Sequence, residues 1–101
     1  MKEITEELMK VMQQASGLTP DQITSRSRRR PLPYVRYMIA RELLLHGYPS
    51  IIVAGEMNID HATVLHGRKM LDTMRCSPHN WVLEIEIEER FLALLGKPIK
   101  Q

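Results

Sequence analysis

Asp60-His61-Ala62-Thr63-Val64-Leu65-His66-Gly67-Arg68-Lys69-Met70 is the stretch that decides how this 101-residue chain is read. It opens with an acidic residue able to cap a helix. At helical spacing, Val64 and Leu65, continued by Leu71 and Met74, fall on an inward side, while His61, Ala62, His66 and Lys69 are left outside. A helix built this way offers its first turns to a polyanion and keeps its back in a core.

What precedes the stretch fits that reading. Pro49 or Ser50 caps a short helix whose apolar positions are Ile51, Ile52, Val53, Ala54 and Met57. Asn58 breaks it, since Asn is among the few residues that accept the left-handed conformation. A short helix, a tight turn and a second helix make a helix-turn-helix over about residues 49–74, with the second helix at 60–74.

Working outward, Ile4, Leu8, Val11, Met12 and Ala15 recur at helical spacing and predict a first helix from Lys2 to Ser16, stopped by Gly17. Leu18 to Ile23 reads as one further helical turn, with Thr19 as cap and Pro20 at the first position. Thr24-Ser25-Arg26-Ser27-Arg28-Arg29-Arg30 has no apolar period and is expected to be a mobile basic loop, spanning 24–33 with Pro31 and Pro33 stiffening its end. A long helix is expected over Pro33–His46, with Val35, Met38, Ile39, Leu43 and His46 on its inner face and Gly47 as its stop. Tyr34 and Arg41 share a side of that helix and face a ligand together, or else Tyr34 is simply a packing ring. Ser77-Pro78 opens a last helix to about Leu95. There Trp81, Ile85, Phe91, Leu92 and Leu95 contact the body, Glu84, Glu86, Glu88 and Glu89 face solvent, and residues 97–101 form a frayed tail. The fold class is therefore all-α: one domain over 1–101, a compact bundle of about five to six helices.

Composition narrows the function. Hydrophobic residues make up 44% of the chain and charged residues 26%, enough for a core and a soluble surface. With only five aromatic residues and seven Met, the core is filled by flexible side chains. A single cysteine, Cys76, permits no internal disulfide and fits a reducing compartment. No apolar run is long enough to span a membrane, and no signal-peptide core follows Met1. A cytoplasmic protein is expected. Net charge is only +2, but residues 23–49 hold six Arg and one Glu, whereas residues 77–95 hold four Glu and one Arg. One basic and one acidic flank can steer the molecule onto a polyanion. The plainer reading is that the arginines merely solvate a loop.

The heptapeptide Asp60-His61-Ala62-Thr63-Val64-Leu65-His66 resembles the signature Asp-His-(Ser/Thr)-Thr-Val-(Leu/Ile)-His of the C-terminal DNA-binding domain, domain IV, of the bacterial replication initiator DnaA. Arg41-Glu42-Leu43, Tyr48-Pro49 and Arg68-Lys69-Met70 stand in matching order around it, and the resemblance covers about residues 4–95. It implies a Trp-repressor-like fold that binds a nine-base-pair duplex element, with the recognition helix in the major groove and the basic loop in the adjacent minor groove. It further implies that Asp60 and His61 meet base edges, that Thr63 and His66 hold phosphates, that Arg41 is a DNA-contacting residue, that Pro49 matches a residue at the start of the motif, and that Arg28 to Arg30 stand for the basic loop. The chain departs from the signature at Ala62, where a hydroxyl residue is replaced by a methyl that can touch a thymine methyl. It departs again at Tyr34, where Gln is usual, and at Asn58-Ile59, where Gly and a basic residue are usual.

The expected base-contacting set is thus Asp60, His61, Ala62, Arg41, Pro49 and Tyr34. The expected phosphate or minor-groove set is Arg26, Arg28, Arg29, Arg30, Thr63, His66 and Lys69. About five phosphate-pairing cations give an expected salt slope near −4 to −5. The expected partner is double-stranded DNA, with no nucleotide, cofactor, metal or membrane expected. The chain holds no Gly-x4-Gly-Lys-Ser/Thr phosphate loop, and Met1 lies close to where such a domain begins, so it is expected to bind DNA without switching on ATP. Catalysis is not expected: His61 and His66 do not converge as an i, i+4 pair would, and Cys76 with His79 lacks two further metal ligands. The rival class is a protein-interaction module, with a replication protein as partner and the acidic last helix or the Tyr34–Tyr37 surface as its face. A small transcription regulator that kept the fold for another element is a further variant. Monomer and dimer both remain open.

Overall fold

The helix from Leu32 to Leu45 is the axis on which the others are hung. The computed structural model describes residues 2–97, within which the chain forms α1 (Lys2–Ser16), α2 (Pro20–Ile23), α3 (Leu32–Leu45), α4 (Ser50–Met57), α5 (His61–Cys76), a 3-10 turn (Pro78–Asn80) and α6 (Val82–Leu94). Helix α3 packs against all five other helices, and α1 closes the opposite side against α6. No helix is long and apolar enough to cross a membrane among the described residues.

Local chemistry explains the element ends. Thr19 and Gln22 form a reciprocal capping box on α2: the Gln22 amide donates to Thr19 Oγ1 at 3.2 Å, and the Thr19 amide donates to Gln22 Oε1 at 2.8 Å. Pro33 sits in the first turn of α3, where its missing N–H costs no hydrogen bond. Gly47 ends α3 with φ +92°, a conformation closed to most side chains. Asn58 ends α4 in the left-handed region, φ 56° and ψ 43°, as the sequence suggests.

The core is filled from every helix: Leu8, Met12 and Ala15 of α1, Ile23 of α2, Val35, Met38, Ile39 and Leu43 of α3, Val53 and Met57 of α4, Val64, Leu71 and Met74 of α5, and Ile87 and Phe91 of α6. Two expectations about this core fail. Leu65, expected inside, is 57% exposed, and His46, expected on the inner face of α3, is exposed with its Nδ1 2.8 Å from Glu42 O.

Helix α6 departs most. Its buried stripe is Glu84, Ile87, Glu88, Phe91 and Leu92, so Glu84 and Glu88 lie inside and only Glu86 and Glu89 face solvent. Buried carboxylates persist only when paired. Glu84 accepts from Arg30 Nε at 2.8 Å, and Glu88 takes Arg41 Nη1 at 2.8 Å and Arg75 Nε at 2.7 Å. Glu42 of α3, also buried, is paired with Lys97. Lys97 is therefore tied down and not part of a frayed tail; the rest of that expected tail, 98–101, lies outside the described residues. Glu88 thus bridges α3, α5 and α6 through arginines whose side chains are 19% and 29% exposed. Because water partly reaches both, Glu88→Ala is expected to cost about 2 kcal/mol rather than the larger penalty of a fully buried pair. Thermal unfolding of the variant measures it.

Helices α3 and α5 meet closely at Gly67, where an added Cβ would sit 2.8 Å from Tyr37 Cδ1 and 3.0 Å from its Cγ. The obstacle is the root of an aromatic ring and cannot swing away. Gly67→Ala should gain up to about 1 kcal/mol of helix propensity and lose about 2 kcal/mol to overpacking. A lowered melting temperature is the expected result; a raised one would show that Tyr37 repacks freely.

Candidate nucleic-acid interface

The basic loop is not a free arm. Arg36, buried within α3, donates from Nε to Ile23 O at 2.6 Å, from Nη1 to Ser27 O at 2.7 Å and from Nη2 to Ser25 O at 2.7 Å. Burial pushes the Arg36 guanidinium below its usual range. A planar fork with fixed donor directions matches carbonyls arrayed along a curving backbone. Nothing in an apolar-periodicity reading singles out Arg36, so the sequence points to a mobile loop where the structure has a pinned one.

The six arginines of the basic segment consequently divide. Arg30 was expected on DNA, but it chelates Glu84 through Nε and Nη2, donates from Nη2 to Asn80 O at 2.7 Å, and lies 4.1 Å over the Trp81 ring. The bond to Glu84 raises its pKa. Arg41, expected at base edges, is committed to Glu88, and Tyr34, expected beside it, is 6% exposed. Tyr34 packs edge-on to Tyr37 at 5.3 Å and tilted against Trp81 at 4.5 Å, and burial raises its phenol pKa. Neither side chain is available to read a base as it stands. Arg26, Arg28 and Arg29 remain: all three are exposed, with no ion pair among the described residues.

Arg26 and Arg28 border an open cleft of about 650 Å³ together with Arg36, Tyr37, Gly55, Asn58, Asp60 and Thr63. The cleft brings the arginine loop to the start of α5, so Arg26, Arg28, Asp60 and Thr63 from the two predicted sets meet on it. Asp60 holds the cap position of α5, φ −69° and ψ 148°, yet its side chain accepts no capping hydrogen bond. The expected side-chain cap is therefore missing. The helix start relies on backbone alone, with the Val64 amide donating to Asp60 O at 3.1 Å, and the carboxylate stays exposed at the cleft.

His61, Ala62, His66 and Lys69 are exposed along the outer side of α5. Leu65 lies one turn after His61 and three residues after Ala62, which puts it on the same face. Its exposure is legible only once the buried side of α5 is fixed by Val64, Gly67, Leu71 and Met74. His61 is steadied from the neighbouring helix, its Nε2 2.6 Å from Ser50 Oγ, and Pro49 is exposed at the cap position of α4 directly before that serine. Among the described residues no three His, Cys, Asp or Glu side chains gather as a metal site, and Cys76 is exposed at the far end of α5. Comparison with protein-family models, with curated proteins and with solved structures gives no match.

Proposed function

We propose that this chain is a sequence-reading duplex-DNA-binding domain, akin to the DNA-binding domain of the replication initiator that its heptapeptide resembles, and not an enzyme. One observation carries the reading: a cleft that joins two loop arginines without an ion pair among the described residues, Arg26 and Arg28, to the start of a helix whose outer face is His61, Ala62, Leu65, His66 and Lys69. In this reading α5 enters the major groove. His61 and Asp60 meet base edges, and Ala62 and Leu65 offer apolar surface to thymine methyls. Arg26, Arg28, Arg29 and Lys69 pair with phosphates, aided by the Thr63 hydroxyl and His66. Arg30, Arg41 and Tyr34 support from behind.

With Arg30 withdrawn from the phosphate set, four cations remain, and the expected slope of log affinity against log salt is about −3 to −4. A titration of a fluorescent duplex bearing an initiator-type nine-base-pair element, beside a scrambled duplex, at several salt concentrations tests both claims. A flat salt response would sink the proposal, and equal affinity for the two duplexes would remove the sequence-reading part of it.

The alternative, a protein-interaction module serving a replication protein, draws on exposed Val82, Leu83 and Leu94 of α6. Its original surfaces are reduced, since Glu84, Glu88 and Tyr34 are buried. Absent duplex binding together with capture of a protein partner through α6 is the outcome that favours it.

A further inference from the structure

We infer that Asn58 is the joint that sets the arginine loop against α5, a positioning residue for the DNA contacts and not one of them. The assignment rests on the DNA-binding reading for its consequence, though not for its geometry. Asn58 Nδ2 donates to Thr24 O at 2.9 Å, across 34 residues of chain. Thr24 follows α2 directly and opens the loop. Its neighbouring carbonyls, Ile23 O and Ser25 O, and then Ser27 O, are held by Arg36 from within α3. The loop backbone is therefore gripped from two sides, by Arg36 from the core and by Asn58 from the turn of the helix-turn-helix.

Only the second grip ties the loop to the reading helix. Asn58 stands two residues before Asp60 and three before the first residue of α5, and it lines the same cleft as Arg26, Arg28, Asp60 and Thr63. Loss of its side-chain bond leaves α5 packed on α3 and the loop held by Arg36, but frees one relative to the other across the cleft.

The residue type carries a double requirement. The backbone at this position is left-handed, φ 56°, a conformation that Gly adopts freely and that Asn and Asp tolerate. Of these three only Asn carries an N–H donor that can reach a carbonyl. Gly would satisfy the turn and abandon the tether; Asp would satisfy the turn and set a carboxylate oxygen against the Thr24 carbonyl.

The test uses the full chain and three variants. Asn58→Gly and Asn58→Asp keep a left-handed turn, so their melting temperatures should stay within a few degrees of the parent. Trypsin should nevertheless cut after Arg26, Arg28 and Arg29 about threefold to fivefold faster under native conditions, the opening expected from one partly exposed hydrogen bond. Asn58→Ala strains the turn as well and should lose melting temperature along with loop protection, which separates damage to the fold from loss of the tether. On an initiator-type duplex, Asn58→Gly should weaken binding about fivefold with an unchanged salt slope, because the same phosphates are still met. Arg28→Ala should lower that slope by about 0.9, as a contacting cation does. Parental trypsin rates in both Asn58→Gly and Asn58→Asp would overturn the assignment, whether or not the chain binds DNA. Faster cutting with no duplex binding in the parent chain would keep the joint and discard the DNA-binding reading. Faster cutting with parental affinity in Asn58→Gly would overturn the positioning role.

Discussion

Replacing Arg36 with methionine is expected to lower stability by about 3 kcal/mol, the largest effect of any single substitution considered for this chain. Methionine keeps the apolar stem of the side chain and removes the fork. Three carbonyls, Ile23 O, Ser25 O and Ser27 O, then lose a charged donor. Each hydrogen bond to a charged group contributes about 1.5 kcal/mol or more. Removal of the charge also abolishes the cost of burying it, and the Ser25 and Ser27 carbonyls can turn to water, so the net stays well below the sum. For a domain of this size about 3 kcal/mol corresponds to roughly 15 °C in melting temperature. The distinguishing sign is locality: amides near Ser25 and Ser27 should lose hydrogen-exchange protection before the core of α3 does. Uniform loss across the chain would mean that Arg36 supports the core and not the loop.

Exchanging Arg26, Arg28 and Arg29 together for alanine carries the largest expected effect on binding. If each pairs with one phosphate, the salt slope should fall by about 2 to 3, and affinity at low salt by on the order of a hundredfold, for initiator-type and scrambled duplexes alike. The fold should be indifferent, since all three side chains are exposed and none is ion-paired among the described residues. His61→Ala should behave in the opposite way, cutting the preference between the two duplexes about tenfold while leaving the slope nearly unchanged. The two variants together separate holding from reading. If the triple variant and His61→Ala lose preference to the same degree, that separation of roles is wrong.

Much of the bundle is legible in the amino-acid pattern, and the reasons it is so are local. The bounds of α1, the cap at Thr19 and the left-handed residue at Asn58 follow from residues acting within four positions of themselves, whereas α5 starts after Asp60 as expected but without the cap expected from that side chain. The misreadings share a different cause. Glu84 and Glu88 are polar in sequence and inward in the fold, because Arg30, Arg41 and Arg75 arrive from 13 to 54 residues away to neutralise them. Arg36 likewise looks like one more member of a basic run until α3 turns it toward the loop that precedes it. The expected contact sets hold five arginines, whereas pairing leaves three free of an ion pair among the described residues. The face of α5 was readable at His61, Ala62, His66 and Lys69 but not at Leu65, since a leucine beside a valine is assumed to follow it into the core. Which of the two points inward is decided by the register against Tyr37 at Gly67, a contact between helices that no local pattern encodes.

The stack of Arg30 on Trp81 has an optical consequence. Trp81 is the only tryptophan in the chain, and its indole touches both the last arginine of the loop and the ring of Tyr34. Its emission is therefore a built-in gauge of where the loop ends and α6 begins. Any ligand that draws Arg30 off the ring alters the polarity and quenching around one chromophore, with no label attached. Excitation at the red edge of the indole band, where the three tyrosines are silent, makes the movement of a single guanidinium visible in real time.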